Sequence, residues 1–109
     1  MAGRLRDAPG KAVGMIRDAT VKATLDTQRM ARERAPVDTG YLRSSIAVSV
    51  QPGQSAGSVV GEVTAGANYA AYVEHGTSRQ RPQPFMRPAF EQSRDVWVQM
   101  LEQIGGRVL

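Results

Sequence analysis

The triplet Asp38-Thr39-Gly40 is the first group of residues that could carry chemistry. The same triplet surrounds the catalytic aspartate of aspartic proteases, and 109 residues is about the size of a retroviral-type subunit that dimerises to pair two carboxylates. In those enzymes the triplet follows an apolar strand, whereas here it follows Ala35-Pro36, a pair typical of a helix end. We therefore expect Asp38 or Thr39 to be the N-cap of a short structural turn. Pro36 and Gly40 belong to the same turn.

The second group is Glu74 beside His75, the single histidine of the chain. A carboxylate next to an imidazole could do acid–base chemistry. A lone histidine, however, has no second nitrogen ligand for a metal, and no serine or cysteine is placed recognisably as its nucleophile. The chain has no cysteine for disulfides or thiolate sites. We therefore predict a protein that is not an enzyme, with no catalytic residue, metal site or cofactor.

The third group is a loop in which arginines are interspersed with prolines: Arg79, Arg81, Pro82, Pro84, Arg87 and Pro88. Proline lacks an amide donor and fixes its own φ, so this segment is excluded from helix interiors and central strands. The sequence predicts an extended, semi-rigid arm that reaches outward. Its arginines could neutralise DNA phosphates. A solvated loop, or one that pairs with carboxylates of a partner protein, is favoured, because no helix-turn-helix or stacking-aromatic pattern accompanies the arginines.

Composition limits the possible classes of protein. The formal net charge is +4, and only Lys11 and Lys22 among the basic residues are lysine. Arginine suits bidentate contacts to carboxylates or phosphates, but a charge this small does not by itself indicate nucleic acid. No apolar run approaches the length of a membrane span and no signal pattern opens the chain. We expect a protein that neither spans a membrane nor is secreted.

Two long helices are predicted to position these groups. The first runs from about Lys11 to Ala35, after a flexible arm over residues 1–10, and residues 11–109 are expected to form a single domain. Its apolar stripe comprises Ala12, Ile16, Ala19, Ala23, Thr27 and Met30. The second helix runs from Pro88 to Ile104 and ends at Gly105-Gly106, with 107–109 as a short edge strand or a free end. Its stripe, the best core material of the chain, comprises Phe90, Trp97, Leu101 and Ile104.

Two short strands are predicted between the helices. Residues 45–51 alternate, with Ile46, Val48 and Val50 on one face, and residues 59–65 read as an antiparallel partner. The turn before them should tuck Tyr41 and Leu42 under the sheet. After them, Tyr69, Tyr72 and Val73 share one face of a helical turn that Gly76 ends. The predicted fold class is α+β: a long N-terminal helix and a C-terminal helix packed on a small, mostly antiparallel sheet, with an extended Pro/Arg-rich loop.

A series of short motifs occurs in a specific order over roughly residues 10–104: Ala35-Pro36-Val37-Asp38-Thr39-Gly40, Leu42-Arg43, Ser45-Ile46, Tyr69-Ala70, Val73-Glu74, Gly76-Thr77 and Pro84-Phe85-Met86-Arg87-Pro88-Ala89. This series resembles the tail-completion or head-tail joining proteins of long-tailed double-stranded DNA phages, the gene-product-ten-like family. His75 departs from the pattern, because the family commonly has an aromatic residue there.

The resemblance implies a structural virion protein of the phage neck or tail end, present in the host cytoplasm during assembly. Such proteins generally form a ring of six where the tail meets the DNA-filled head. The implied partners are other copies of the chain, neighbouring neck and tail proteins, and DNA that passes through the lumen without sequence specificity. Residues expected at subunit or partner contacts are Tyr69, Tyr72, Glu74, Gly76, Thr77, Arg79, Arg81, Pro84, Phe85 and Arg87.

Several alternatives stay open at this point. Within the phage interpretation, the protein could be a tail terminator, a tail-completion protein or a head-side connector. A small basic nucleic-acid-binding module would instead bind random duplex DNA, with an affinity that falls steeply as salt rises. A dimeric aspartic protease would lose peptide cleavage, but not assembly, on the change Asp38→Asn.

Overall fold

The computed structural model describes the backbone of residues 2–36, 40–55 and 57–108, and the side chains of 12–36, 40–55 and 57–106. In chain order the elements of these ranges are α1 (Ala2–Arg34), α2 (Tyr41–Ser44), β1 (Ile46–Pro52), β2 (Val59–Ala65), α3 (Ala70–His75) and α4 (Met86–Val108). Two long helices and one antiparallel strand pair make this the α+β fold that the sequence predicts. No described helix is long and apolar enough to cross a membrane.

Helix α1 begins earlier than the sequence pattern predicts. It starts at Ala2 rather than near Lys11, so residues expected as an N-terminal arm continue the helix. Most of the residues before Pro9 are good helix formers, and extending a helix that already exists gains a hydrogen bond for each residue fixed. The other end is as predicted, with Arg32 and Arg34 in the last turn, where cations are favourable.

The buried face of α1 consists of small residues. Ala19, Thr20, Thr24, Thr27, Ala31 and Ala35 are buried. The predicted stripe is therefore wrong, because the buried face is rotated about the helix axis relative to it. Ala23 and Met30 of the predicted stripe are only half-buried, and Thr20 and Thr24 are buried instead. Threonine tolerates this burial because its hydroxyl donates to the carbonyl four residues earlier, at 2.7 Å for Thr20 and 2.6 Å for Thr24.

Strands β1 and β2 pair along their whole length, from Ile46 opposite Ala65 to Pro52 opposite Val59. The predicted antiparallel pairing is confirmed, with β1 one residue further along the chain. Gln28 Nε2 and Arg32 Nη2 of α1 both donate to the Ile46 carbonyl, at 2.8 and 3.0 Å. These bonds hold the start of β1 against α1.

Gly61 determines how closely β2 lies on α1. A Cβ atom at this position would overlap Thr24 Oγ1 and would lie 3.0 Å from Thr20 Cγ2. The strand backbone therefore sits directly on the threonine face of the helix. Since side chains alternate along a strand, Val60 and Glu62 point away from α1, and both are exposed.

Helix α4 packs on α1 through a different face from the predicted one. Phe90, expected in the core, is 55% exposed, whereas Ala89 and Ser93 are buried. The reason is that α1 offers only small residues, so the closest approach is made by small residues of α4 as well. Ile104 is buried as predicted. The helix also continues through Gly105-Gly106 to Val108, since neither glycine adopts a positive φ.

The hydrophobic core lies at one end of the molecule, where α1 ends and α4 begins. It consists of Ala31, Ala35, Leu42, Ile46, Ala67, Phe85 and Ala89. Leu42 is buried as predicted, whereas Tyr41, which was also predicted to lie under the sheet, is exposed. Helix α2 is a single turn that starts after Gly40, whose φ is 75°. Adjacent side chains of a helical turn point in different directions, and here only Leu42 faces the core.

Substituting Gly61 tests the close approach of β2 to α1. Gly61→Ala should lower the free energy of unfolding by about 1–3 kcal/mol, because the new methyl group overpacks against Thr24. The matched control is Gly14→Ala, where a Cβ meets nothing within 4 Å. That change should stabilise α1 by about 0.5–1 kcal/mol. Urea unfolding of both variants gives the two values, and equal effects of the same sign would contradict the packing.

Candidate functional site

Residues 76–85, called here the Arg/Pro loop, connect α3 to α4. The Gly76 N–H donates to the Tyr72 carbonyl at 2.8 Å and ends α3 with a φ of 78°, as the sequence predicts. The Thr77 N–H then donates to the Gln80 carbonyl at 3.0 Å, and Thr77 Oγ1 accepts from the Arg79 and Gln80 N–H groups at 3.2 and 3.1 Å. The first half of the loop is therefore a closed turn.

The second half of the loop returns towards α3. The Gln83 N–H donates to the Val73 carbonyl at 2.8 Å, and a Cβ at Gly76 would lie 2.7 Å from the Pro82 nitrogen. The extended arm of the sequence prediction is thus corrected to a loop that folds back on itself. The threonine hydroxyl closes the turn, and only glycine leaves room for the proline. Side chains from Arg79 to Pro84 are nevertheless exposed.

The three arginines predicted to make contacts differ in their surroundings. Arg87 Nε lies 3.0 Å from Glu91 Oε1 in an exposed pair one helical turn apart, which contributes little to stability. Arg79 and Arg81 form no ion pair with any described residue. These two guanidinium groups are therefore available to a partner.

Aromatic residues lie near the base of the loop. Tyr72 is exposed, and the ring of Tyr69 lies 6.2 Å from that of Tyr41, measured between centroids. Tyr69 and Arg81, both predicted contact residues, line one small cavity of about 100 Å³ together with Pro36. The structure thus brings together residues from the predicted turn and from the predicted contact surface.

Glu74 has a role inside the chain that the sequence did not predict. Its Oε1 accepts from the Phe85 and Met86 N–H groups at 3.1 and 2.9 Å, and its Oε2 accepts from the Arg87 N–H at 3.1 Å. The carboxylate therefore caps the N-terminus of α4, where free N–H groups favour negative charge. Glu74 was predicted to contact a partner, and the structure directs its carboxylate to α4 instead.

The same contacts determine the acidity of Glu74. Partial burial alone would raise the pKa of this carboxyl, because it disfavours the charged form. Backbone N–H donors from Met86, Arg87 and Phe85, together with the charge of neighbouring His75, outweigh burial and hold the pKa of Glu74 below its usual range. The carboxylate is therefore stabilised in the form that caps the helix.

Other predicted residues have structural surroundings. Phe85 was predicted to contact a partner, but it is 1% exposed and lies in the core, because its large side chain fills the space between α1 and the sheet end. Asp38 and Thr39 lie outside the described residues. The N-cap of α2 is Gly40, without a side-chain hydrogen bond. The triplet lies between α1 and α2 rather than after a strand, which is not the context that a protease needs.

An open groove of about 450 Å³ lies between β2 and α4, at a place where no site was predicted from the sequence. Thr20, Ala23, Thr24 and Thr27 of α1 form its floor. Its walls are Val59, Val60, Gly61, Glu62 and Val63 of β2, and Met86, Phe90, Arg94 and Trp97 of α4. Since no β1 residue lines it, the groove runs along the edge of β2 that is not paired in the described sheet. Such an edge with apolar neighbours suits a protein contact.

Hydroxyl groups fix the floor of this groove to α4. Trp97 Nε1 donates to Thr20 Oγ1 at 3.1 Å, and the Thr27 and Ser93 hydroxyls are hydrogen-bonded to each other. Threonines at positions 20, 24 and 27 share one helix face, and Gly61 lies in the middle of a strand. The three threonines and the strand glycine are the features of the sequence from which the close approach of β2 to α1 could have been predicted.

The groove carries one charge of each sign. Arg94 lies on the α4 wall, and Glu62, whose side chain points away from α1, lies at the rim of the β2 wall; both are exposed. Neither forms an ion pair within the described part of the chain. In the same residues, no cluster of histidine, aspartate and glutamate has the arrangement of a metal site. Both surfaces, the loop and the groove, are suited to binding another protein chain.

Comparison with known proteins finds a matching family model. The model of the family described as "Bacteriophage HK97-gp10, putative tail-component" matches residues 1–76. The matched range contains α1, α2, both strands and α3, and it includes Glu74 and Gly76. No curated protein and no solved structure matches the chain.

Replacing Glu74 tests its role as the cap of α4. Glu74→Ala should lower the free energy of unfolding by about 1–2 kcal/mol, because three N–H groups lose their acceptor. The control is Glu91→Ala, which removes only the exposed pair with Arg87 and should change stability by less than about 0.5 kcal/mol. Chemical unfolding at pH 7 compares them, and a smaller effect at Glu74 than at Glu91 would contradict the cap.

The pH dependence gives a second test of the cap. Since folding lowers the pKa of Glu74, its contribution is present above about pH 4.5, the usual value, and is lost as pH falls through the lowered pKa. The stability difference between wild type and Glu74→Gln should therefore shrink on acidification below that point. Unfolding curves between pH 7 and pH 3 measure the difference. A difference that stays constant over this range would show that the charge of Glu74 is not involved.

Proposed function

The chain belongs to the HK97-gp10 tail-component family of bacteriophages, and from this premise we propose that it forms a ring that completes the tail and joins it to the DNA-filled head. It is a structural component of the phage tail, with a place in the virion. In this proposal the ring lies at the neck, where six copies surround the passage for DNA. The number six is the one implied by the family that the order of the sequence motifs resembles.

The observation that carries the ring is the presence of two different exposed surfaces on one chain. Within the part of the chain that the structure describes, the Arg/Pro loop carries arginines without an ion pair, and the groove carries a sheet edge without a paired strand and the exposed ring of Phe90. A protein that binds itself through two different patches assembles head to tail, and such contacts close into rings when the rotation allows. A small core at one end is also expected for a subunit that gains further burial from its neighbours.

The positive charge is compatible with a ring around DNA. The formal net charge is +4, and Arg17, Arg79 and Arg81 are exposed without an ion pair among the described residues. Those arginines that face the lumen and make no contact between subunits would attract phosphates without reading the base sequence. The same arginines favour the second candidate, a basic nucleic-acid-binding module. That module would bind duplex DNA as a monomer, with strong dependence on salt.

A phage that lacks this gene tests the proposed function. Infected cells should accumulate DNA-filled heads and separate tails, because the joining ring is missing. Electron microscopy of the lysate counts joined and separate particles, and supplying the wild-type gene from a plasmid should restore joined virions. Normal yields of infectious, fully joined particles without the protein would overturn the proposal.

The mass of the purified protein tests the ring itself. Light scattering coupled to size-exclusion chromatography should give a multiple of the 11.8 kDa chain, with six as the expected number. A monomer that binds duplex DNA at low salt would favour the nucleic-acid-binding module instead.

A further inference from the structure

We propose, on the basis of the ring proposed above, that the Arg/Pro loop of one copy docks into the groove between β2 and α4 of the next copy. Pro82 and Pro84 would contact Phe90 and Trp97 of the neighbour, and Arg79 and Arg81 would pair with its Glu62. The occupant of the groove is thus a second copy of the same chain. Three properties of the described residues support this assignment.

The first property is apolar complementarity. The groove presents Phe90, which is 55% exposed, and the half-buried ring of Trp97, while Val60, which is 50% exposed, lies at its outer rim. Aromatic-lined grooves are the surfaces on which proline-rich segments dock, since proline rings are apolar and their backbone is already ordered. In the loop, Pro82 and Pro84 are both exposed.

The second property is charge. Glu62 is exposed at the rim of the β2 wall without an ion-pair partner among the described residues, and Arg79 and Arg81 are the cations of the loop that form no ion pair within the same residues. Opposite charges on the two surfaces would orient the loop as it enters the groove. Arg94, on the other wall, is a donor suited to the backbone carbonyls that a proline-rich segment leaves without internal partners.

The third property is that the loop is already fixed before it binds. The turn at Thr77, the bond from Gln83 to Val73 and the packing of Pro82 on Gly76 hold its shape within one chain. A segment ordered in advance loses little conformational entropy on docking. The side chains of the loop are exposed to solvent, while its backbone is hydrogen-bonded to α3.

The two surfaces are built from different residues. The small cavity at the loop is lined by residues such as Pro36 and Tyr69, and the groove is lined by α1, β2 and α4, with no residue in common. Docking of one on the other is therefore a head-to-tail contact, in which each copy gives one loop and receives another.

Charge reversal on each side tests the contact. Glu62→Arg and the double variant Arg79→Glu/Arg81→Glu should each raise the subunit concentration needed for half-assembly by roughly tenfold or more, because like charges then face each other. Both sites are exposed, so folding should be unaffected, which circular dichroism checks. The matched control is Glu102→Arg, an exposed glutamate of α4 outside the groove, which should leave assembly unchanged. Mass photometry over a dilution series measures each ring.

Mixing the two assembly-defective variants gives the sharper result. In an equimolar mixture, the reversed groove of the Glu62→Arg variant can receive the reversed loop of the double variant. The unchanged groove of the double variant can in turn receive the unchanged loop of the Glu62→Arg variant. Every contact of an alternating ring is then attractive, so the mixture should recover assembly that neither variant has alone. This rescue requires that the loop and the groove meet between copies.

The outcomes separate this inference from the proposed function. A ring that survives both charge reversals, or a mixture that fails to recover, would overturn the loop–groove contact and leave the ring in place. Rings that stay intact while Glu62→Arg phage fail to join tails to heads would assign the groove to another tail protein and also overturn the contact. A wild-type chain that remains monomeric at every concentration would overturn both proposals.

Discussion

The close approach of β2 and α4 to one face of α1 is the constraint on which the rest of the structure depends. Thr20, Thr24 and Thr27 satisfy their hydroxyls within α1 or with α4, so they can be buried without losing hydrogen bonds. Small side chains on that face leave room for the backbone of β2 at Gly61 and for α4 at Ala89 and Ser93. Larger residues there would push both elements away from the helix.

This packing also explains why a groove exists. Strand β2 and helix α4 both pack on α1, but neither element fills the space between them. This open space is the groove. Large side chains of α4 do not fit against the small residues on this face of α1. Phe90 is one of them, and it lies beside the space between β2 and α4, where it is exposed. The hydrophobic core is consequently confined to the end where α1, α2 and the beginnings of β1 and α4 meet. The open flank is left to a partner, as expected of a tail component that assembles with other chains.

Glu74 connects the Arg/Pro loop to the end of the molecule that holds the hydrophobic core. Its carboxylate holds the first N–H groups of α4, and the loop between them is shaped by Thr77, Gly76 and Gln83. The position of the loop therefore depends on the same residue that starts α4. A loop fixed in this way can present arginines and prolines in one arrangement to every neighbour in an assembly.

The sequence by itself determined the α+β class, the antiparallel strands, the end of α1 and the glycine that ends α3, because these follow from periodicity and from proline and glycine chemistry close in the chain. The order of the motifs also indicated the phage family. Only the tertiary structure decided which helix faces are buried, that Phe85 replaces Phe90 in the core, and that Glu74 caps α4. Those outcomes depend on how closely distant segments approach, and periodicity within one segment cannot give the size of the residues that face it.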